Sequence, residues 1–406
     1  MKTTSVKGTK DFLPKELELR ENVKNIIENT YKEYGYNKIS TPIIEDIENL
    51  ENSDGGDNIK LIFKILKRGE KLEASLEKND YKNLADLGLR YDLTLPLTRF
   101  YAEHREKLPK PFKVIQIDRV YRADRPQKGR MREFIQCDID VIGSDNYCTE
   151  VELILVTMKA LQRLGLGDIE VKISSRKTLF DFLSKMGYSK DEIPEVCICF
   201  DKLDKIGIDG VYAELCAGEF NKDANEKFYE FLKNKQFDYN GLVDKENVDK
   251  IIEKVKKLSD DSVNINFDIS LVRGQGYYTG TIFELYSKEF SQAVGGGGRY
   301  DNLIGKFIGE NVPAVGFSIG FERICSILNE KNLETSKKEK IAVLYDEENF
   351  IDRFNFAESL RQNYIVSMFE NPKKLGKMLD KLQEIGYVGF VSNNATNIKY
   401  FDNNNM

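Results

Sequence analysis

The spacing of apolar residues changes period along the chain, and the changes outline its elements. Leu17, Leu19, Val23, Ile26, Ile27 and Tyr31 recur among charges, which predicts a helix over residues 14–34 that ends at Gly35-Tyr36. Ile39-Ser40-Thr41-Pro42-Ile43-Ile44 predicts a strand with its proline at a bend or an edge. Residues 53–57 predict a loop, 61–65 a strand, and 97–106 a helix with Pro96 suited to its start. Alternation is clearest over residues 112–122. Val114, Gln116, Asp118, Val120 and Arg122 share one face, and Lys113, Ile115, Ile117, Arg119 and Tyr121 the other. Residues 134–143 predict the returning strand, so 125–132 form a long hairpin loop. A helix over 150–164 and a strand over 169–173 follow.

Between about residues 176 and 258 charged helical patterns dominate, which predicts an inserted helical subdomain. Strands return at Val263. Phe267, Ile269 and Leu271 form a strand-like run that ends at Arg273. A glycine-bracketed turn and the pair Tyr277-Tyr278 come next, then a second strand over 281–286. The bland reading of that stretch is an ordinary hairpin with a surface arginine. The run Gly295-Gly296-Gly297-Gly298 opens a turn-strand-helix unit that ends near Leu328, with a bulged strand as its alternative. Residues 331–340 read as a charged linker. Residues 341–406 read as a small α/β unit with strands at 341–345, 364–369 and 388–392, helices at 350–362 and 374–385, and a frayed polar end. Antiparallel-looking strands with helices outside them place residues 1–330 in the α+β class.

Composition narrows the chemistry more than the fold. The 406 residues suit two or three domains. With 41% apolar and 32% charged residues, the chain reads as soluble and globular. No apolar run has membrane-spanning length, and the first residues do not form a signal peptide. Six cysteines without a paired framework fit a reducing cytoplasm, and Cys197-Ile198-Cys199 has the wrong spacing for a zinc knuckle. A net charge of −6 argues against a nucleic-acid-coated protein and leaves room for a local basic groove. There is one histidine, His104, on a solvated helix end. Any Ser-His-Asp triad, Cys-His pair or multi-histidine metal site would have to use it.

Chemistry-bearing residues concentrate at 119–134. Arg122 ends a strand, where a rigid guanidinium can hold a phosphate and a carboxylate together. Arg125, Lys128, Arg130 and Arg132 sit in the following loop, which suits an arriving polyanion such as a nucleic-acid end. The returning strand carries two acids at alternate positions, Asp138 and Asp140. Arg90-Tyr91-Asp92-Leu93-Thr94 sets a carboxylate and a hydroxyl where they can hold an ammonium group, or equally cap a helix. The glycine run lets backbone approach a flat ligand, and no Walker lysine follows it. Arg122, Arg273 and Arg323 lie on separate elements, with Asp92 and Asp140 to join them. Such a set suits phosphoryl or adenylyl transfer by positioning and charge stabilisation.

These residues resemble the histidyl-tRNA synthetase family, a class II aminoacyl-tRNA synthetase group, over the whole chain. Residues 35–50, 120–143 and 314–324 are similar to the three class II motifs. Arg125-Pro126-Gln127-Lys128-Gly129-Arg130 and Leu271-Val272-Arg273-Gly274 with Tyr277-Tyr278-Thr279-Gly280 are similar to stretches specific to the histidine enzyme. Arg90-Tyr91-Asp92-Leu93-Thr94 resembles the branch closer to the archaeal and eukaryotic form, with aspartate at 92 and 140 where many bacterial relatives carry glutamate.

The resemblance implies ATP-dependent attachment of histidine to tRNA(His) through a histidyl-adenylate, with Mg²⁺ assisting. It implies that Arg122 bridges the histidine carboxylate and the ATP α-phosphate, that Arg273 faces that phosphate from the other side, and that Arg323 holds the γ-phosphate. Asp124 falls near the adenine. Asp92 and Thr94 hold the amino group, and Gln136 the carboxylate and amino end. Asp140, Tyr278 and Tyr277 read the imidazole. Arg125, Gln127, Lys128 and Arg130 meet the tRNA acceptor end. The resemblance also implies a cytoplasmic homodimer joined through the first motif, and a short anticodon-binding-like α/β domain. A site that pairs the two imidazole nitrogens needs no hydrolytic editing, so residues 176–258 are read as tRNA-contacting or structural. The competing reading is a silent paralogue that regulates ATP phosphoribosyltransferase. Such paralogues tend to lose the arginines present here.

Overall fold

The computed structural model describes residues 2–52, 56–126, 130–272, 278–288, 293–330 and 338–401. The first amphipathic pattern forms α1 (Pro14–Glu33). β1 (Asn37–Lys38), β2 (Ile44–Asp46), α2 (Ile47–Asn52), β3 (Lys64–Leu66), α3 (Glu70–Glu77), β4 (Ala85–Leu89) and α4 (Thr94–His104) follow. The strand expected over 39–44 does not form: residues 39–43 lie between β1 and β2, and only Ile44 is in a strand. Pro42 has no amide proton for a ladder. β1 joins the large sheet, while β2 joins a separate three-stranded sheet of order β2-β4-β3. The helix expected from Leu97 starts earlier, at Thr94, because Asp92 Oδ1 accepts the Leu95 amide at 3.1 Å and satisfies its first turn.

β5 (Phe112–Tyr121) and β6 (Glu133–Ile142) form the hairpin that the alternation predicts, with Phe112 opposite Ile142 and Tyr121 opposite Glu133. α5 (Cys148–Arg163) and β7 (Ile169–Ser175) come next. The helical stretch is α6 (Arg176–Met186), α7 (Ile193–Phe200), α8 (Leu203–Ala217), α9 (Lys222–Asn234) and α10 (Lys245–Leu258). The first four build their own core, where Phe182 stands edge-on to Phe231 at 4.8 Å and Phe200 to Phe228 at 4.9 Å. α10 instead lies against α5, β7 and β8 (Asn264–Phe267), and buries Val248, Ile251 and Val255 there.

β9 (Thr281–Ser287), β10 (Ala293–Arg299), α11 (Gly305–Ile308), β11 (Ala314–Ile319) and α12 (Phe321–Glu330) complete this part. Its eight strands run in the order β1-β5-β6-β11-β10-β9-β7-β8. The β1–β5 and β7–β8 pairs are parallel and the others antiparallel. Two expectations are corrected. β8 stops at Phe267, and Leu271 turns back to bond the Asp268 carbonyl while Ile269 and Val272 join the helical core. β8 and β9 therefore form no hairpin. Each flanks β7, whose Ile169, Val171 and Ile173 are buried and whose central place needs a ladder on both edges. The glycine run is not a turn but the interior of β10, with a register shift between Ala293 and Gly295. The bulged-strand alternative is the one realised.

β12 (Lys340–Tyr345), α13 (Phe350–Leu360), β13 (Ile365–Glu370), α14 (Leu375–Glu384), β14 (Tyr387–Val391) and β15 (Lys399–Tyr400) form a second sheet of order β13-β12-β14-β15. The tail expected to fray supplies an edge strand, β15, antiparallel to β14, and the Tyr400 and Tyr364 hydroxyls meet at 3.1 Å. By packing, the chain divides into residues 1–10 with 24–327, and residues 11–23 with 328–406. In the second unit Lys340 pairs with Glu18. Among the described residues no helix is long and apolar enough to cross a membrane, and all six cysteines are free thiols.

Candidate active site

The chemistry gathers in a cleft of the first unit, on the β6–β11–β10 part of the large sheet and beside the start of α4. Strand periodicity puts Gln136, Asp138 and Asp140 of β6 on one face, and all three line the cleft. β11 lies antiparallel beside them, with Ser318 opposite Asp138 and Gly316 opposite Asp140. Ser318 Oγ donates to Asp138 Oδ1 at 2.5 Å. Tyr300, just past β10, donates its hydroxyl to Asp140 Oδ1 at 2.6 Å. A Cβ at position 316 would overlap that same carboxylate oxygen, so only glycine leaves Asp140 its place.

Arg122 stands one residue beyond β5. Its Nε donates to the Tyr91 carbonyl at 2.9 Å, and its guanidinium lies 5.2 Å from the centre of the Phe134 ring. Asp92 and Thr94 enter from the start of α4, and Tyr278 from the segment before β9. Asp92 thus both accepts an amide in the first turn of α4 and lines the cleft. Burial pushes the Asp138 carboxyl up to about 7, and the nearby Asp92 charge adds to the rise. Burial, then the Asp138 charge, holds Asp140 well above the usual carboxylate range. Burial also raises Asp92, against the pull of Arg122. Three carboxyls thus hold their protons more tightly than free ones, and two of them, Asp92 and Asp138, feel the Arg122 charge.

Not every residue singled out from the sequence comes to this cleft. Arg122, Asp92, Thr94, Gln136, Asp140 and Tyr278 line it together. Asp124, Arg125, Arg130 and Arg323 lie outside its lining. Asp124 pairs with Arg130 at 3.6 Å, Arg125 is exposed, and Arg323 donates to the Ala293 carbonyl. Arg273, Tyr277, Gln127 and Lys128 lie outside the described residues. Sequence reasoning missed Tyr300, Ser318 and Gly316, whose roles depend on cross-strand register. It also left Asp138 without a role, although its two-residue spacing from Asp140 and Gln136 was a usable signal. His104 ends α4, partly exposed and 4.7 Å from the Phe100 ring centre, as its bland reading holds.

The root of the basic loop is tied down by the N-terminal segment. Arg132 donates its amide to the Gly8 carbonyl at 2.7 Å, its Nη1 to the Lys7 carbonyl at 3.5 Å and its Nε to the Asp124 carbonyl at 3.1 Å, while its own carbonyl accepts the Arg122 amide at 2.8 Å. Gly8 has a φ of 90°, and a Cβ there would meet Arg132 Cγ at 2.8 Å and Pro126 Cγ at 2.9 Å. Gly8→Ala is therefore expected to cost about 1–2 kcal/mol of backbone strain, with further cost from the contact. Urea unfolding should show the loss.

The mainly antiparallel sheet flanked by helices, with a separate small sheet, is the fold of a class II aminoacyl-tRNA synthetase. The comparisons specify it further. The pattern of the family described as histidyl-tRNA synthetase matches residues 8–324. A histidine–tRNA ligase of Leifsonia xyli subsp. xyli is 38% identical over 95% of this chain and 94% of its own length. That of Porphyromonas gingivalis is 35% identical over 96% and 91%. A solved histidyl-tRNA synthetase from Nostoc sp. PCC 7120 superposes with a TM-score of 0.78 at 26% identity, over 96% of this chain and 91% of that one. The chain belongs to the histidyl-tRNA synthetase family. A Bacillus halodurans structure described as an ATP phosphoribosyltransferase regulatory subunit/histidyl-tRNA synthetase shares the fold, with a TM-score of 0.77 at 20% identity over 97% and 98%.

Proposed function

We propose that the cleft carries out both halves of histidine attachment to tRNA, with its residues in the roles given below. The attachment itself, with ATP, histidine and tRNA as substrates, follows from family membership. The histidine carboxylate attacks the α-phosphate of ATP in line. Pyrophosphate leaves with the P–O bond electrons, and histidyl-adenylate stays bound. The terminal ribose hydroxyl of tRNA(His) then attacks the mixed anhydride and releases AMP. Arg122 bridges the carboxylate and the α-phosphate, and Arg273 opposes it across that phosphate. Both act by stabilising charge at the reacting oxygens. Asp92, Thr94 and Gln136 hold the polar end of histidine. Asp140 and Tyr278, with Tyr277, read the imidazole. Asp124 and Arg323 serve ATP at its adenine and γ-phosphate ends. Arg125, Gln127, Lys128 and Arg130 meet the acceptor end of the tRNA.

The observation that carries this reading is the convergence of Arg122 with Asp92, Gln136 and Asp140 in one cleft from three separate stretches of sequence. Among the described residues no group of three or more His, Cys, Asp or Glu side chains could hold a metal ion. Mg²⁺ would assist the departure of pyrophosphate through water and phosphate oxygens, and no step is derived through it. Dimerisation through residues 35–50 is part of the same proposal. It is supported by exposed Ile43, Ile44, Leu66 and Leu87 on and beside the β2-β4-β3 sheet. So is a cytoplasmic location, which the six free thiols support.

Histidine-dependent exchange of labelled pyrophosphate into ATP tests the reading. Exchange that requires histidine and is followed by transfer to tRNA(His) is the expected result. A protein that binds histidine without exchange would instead be a regulatory subunit.

A further inference from the structure

Asp138 is the buried charge that the proposed roles do not use. It is 4% exposed, lies on the cleft wall, and is held from two sides. Ser318 Oγ donates to its Oδ1 at 2.5 Å, and Gln136 Nε2 approaches both carboxylate oxygens at 3.4 and 3.5 Å. Gln136 Oε1, on the same amide, is buried without a hydrogen-bond partner among the described residues. An unpaired carbonyl oxygen next to a buried carboxylate is a costly pair of acceptors. Both would be satisfied by one guest carrying several N–H donors and a positive charge.

Position along β6 says which part of the amino acid this is. Gln136, Asp138 and Asp140 follow one another on one face, successive pairs about 7 Å apart along the strand. Arg122 comes in near the Gln136 end, over Phe134, Asp92 comes close enough to raise both Asp138 and Asp140, and Tyr300 fixes Asp140 at the other end. With the carboxylate at Arg122 and the imidazole at Asp140, the α-carbon and its ammonium fall over the middle residue.

We propose that Asp138 is a counter-ion of the α-ammonium group alongside Asp92, with Gln136 Oε1 accepting a further one of its N–H donors and Ser318 holding the carboxylate in place. Asp138 thereby selects α-amino acids over des-amino analogues of the same side chain. This inference rests on the reading of the cleft as a histidine site.

Affinities of L-histidine and of 3-(imidazol-4-yl)propionate, which lacks the ammonium, are compared by calorimetry on the full chain in wild type and Asp138→Asn. Asp138→Asn is expected to weaken histidine by about 10–100-fold, the range for a hydrogen bond to a charged group, and to leave the des-amino analogue within about twofold. Equal weakening of both ligands, or of neither, would overturn the assignment. Ser318→Ala adds no charge and leaves Asp138 in place, so it guards against a variant that fails to fold. It should shift the same ratio in the same direction, by about threefold to tenfold, and an unchanged ratio again counts against the proposal. If wild type binds neither ligand, the histidine-site reading itself fails. Wild-type binding with an unchanged ratio in the variants removes only the role of Asp138.

Discussion

Arg122→Ala is expected to lower the rate of histidine-dependent pyrophosphate exchange by about 10²–10³-fold, the usual cost of removing one fixed donor from a developing oxyanion. The guanidinium is pre-set by its Nε bond to the Tyr91 carbonyl and by the Phe134 ring beneath it. In the proposed role it would meet the α-phosphate with little reorganisation. Arg122→Lys should rescue little, because a point charge cannot bridge a carboxylate and a phosphate with paired, coplanar bonds. The fold should survive, since one side-chain bond to a carbonyl contributes only about 1 kcal/mol, and the urea midpoint should move accordingly little. Single-turnover adenylate formation is the check. A variant within threefold of wild type would take Arg122 out of the chemistry.

The largest effect on stability is expected at the other end of the glycine strand. Arg299 and Glu150 form a bidentate pair at 2.7 and 2.8 Å, with Glu150 only 1% exposed. Arg299 Nη1 also reaches the Ser144 carbonyl at 3.0 Å and Asp301 at 3.3 Å, and Thr281 donates to Glu150. Arg299 thus ties the end of β10 to the start of α5, and the Arg299 carbonyl accepts the Thr279 amide next to Tyr278. Arg299→Met would leave Glu150 buried with its partner charge gone, at a cost of about 3–5 kcal/mol. Replacing both residues by apolar ones of similar size should recover most of that loss. Urea unfolding of the two variants separates these outcomes. A single variant no less stable than wild type would show that the pair is not what joins these elements.

The elements of this protein are legible where pattern and burial agree. β5 and β6 alternate because one face of each meets the core, and they pair in the register that a hairpin imposes. The helices of 176–258 and the α/β order of 340–391 are likewise written in local periodicity. Pairing between distant strands is not. β7 takes β8 on one edge and β9 on the other, and β10 is a strand made of glycines, because tertiary neighbours override propensity there. The residue types for an adenylating site, its arginines and alternate acids, were visible in the chain, and so was their resemblance to one family.

Which side chains share a strand face follows from the order of residues alone, since the two-residue repeat of a strand is a local property. Which faces meet was settled by folding. It placed Ser318 against Asp138, Tyr300 against Asp140 and a glycine where a Cβ would have displaced a carboxylate. Those contacts depend on long-range register between β6, β10 and β11, which no local pattern encodes.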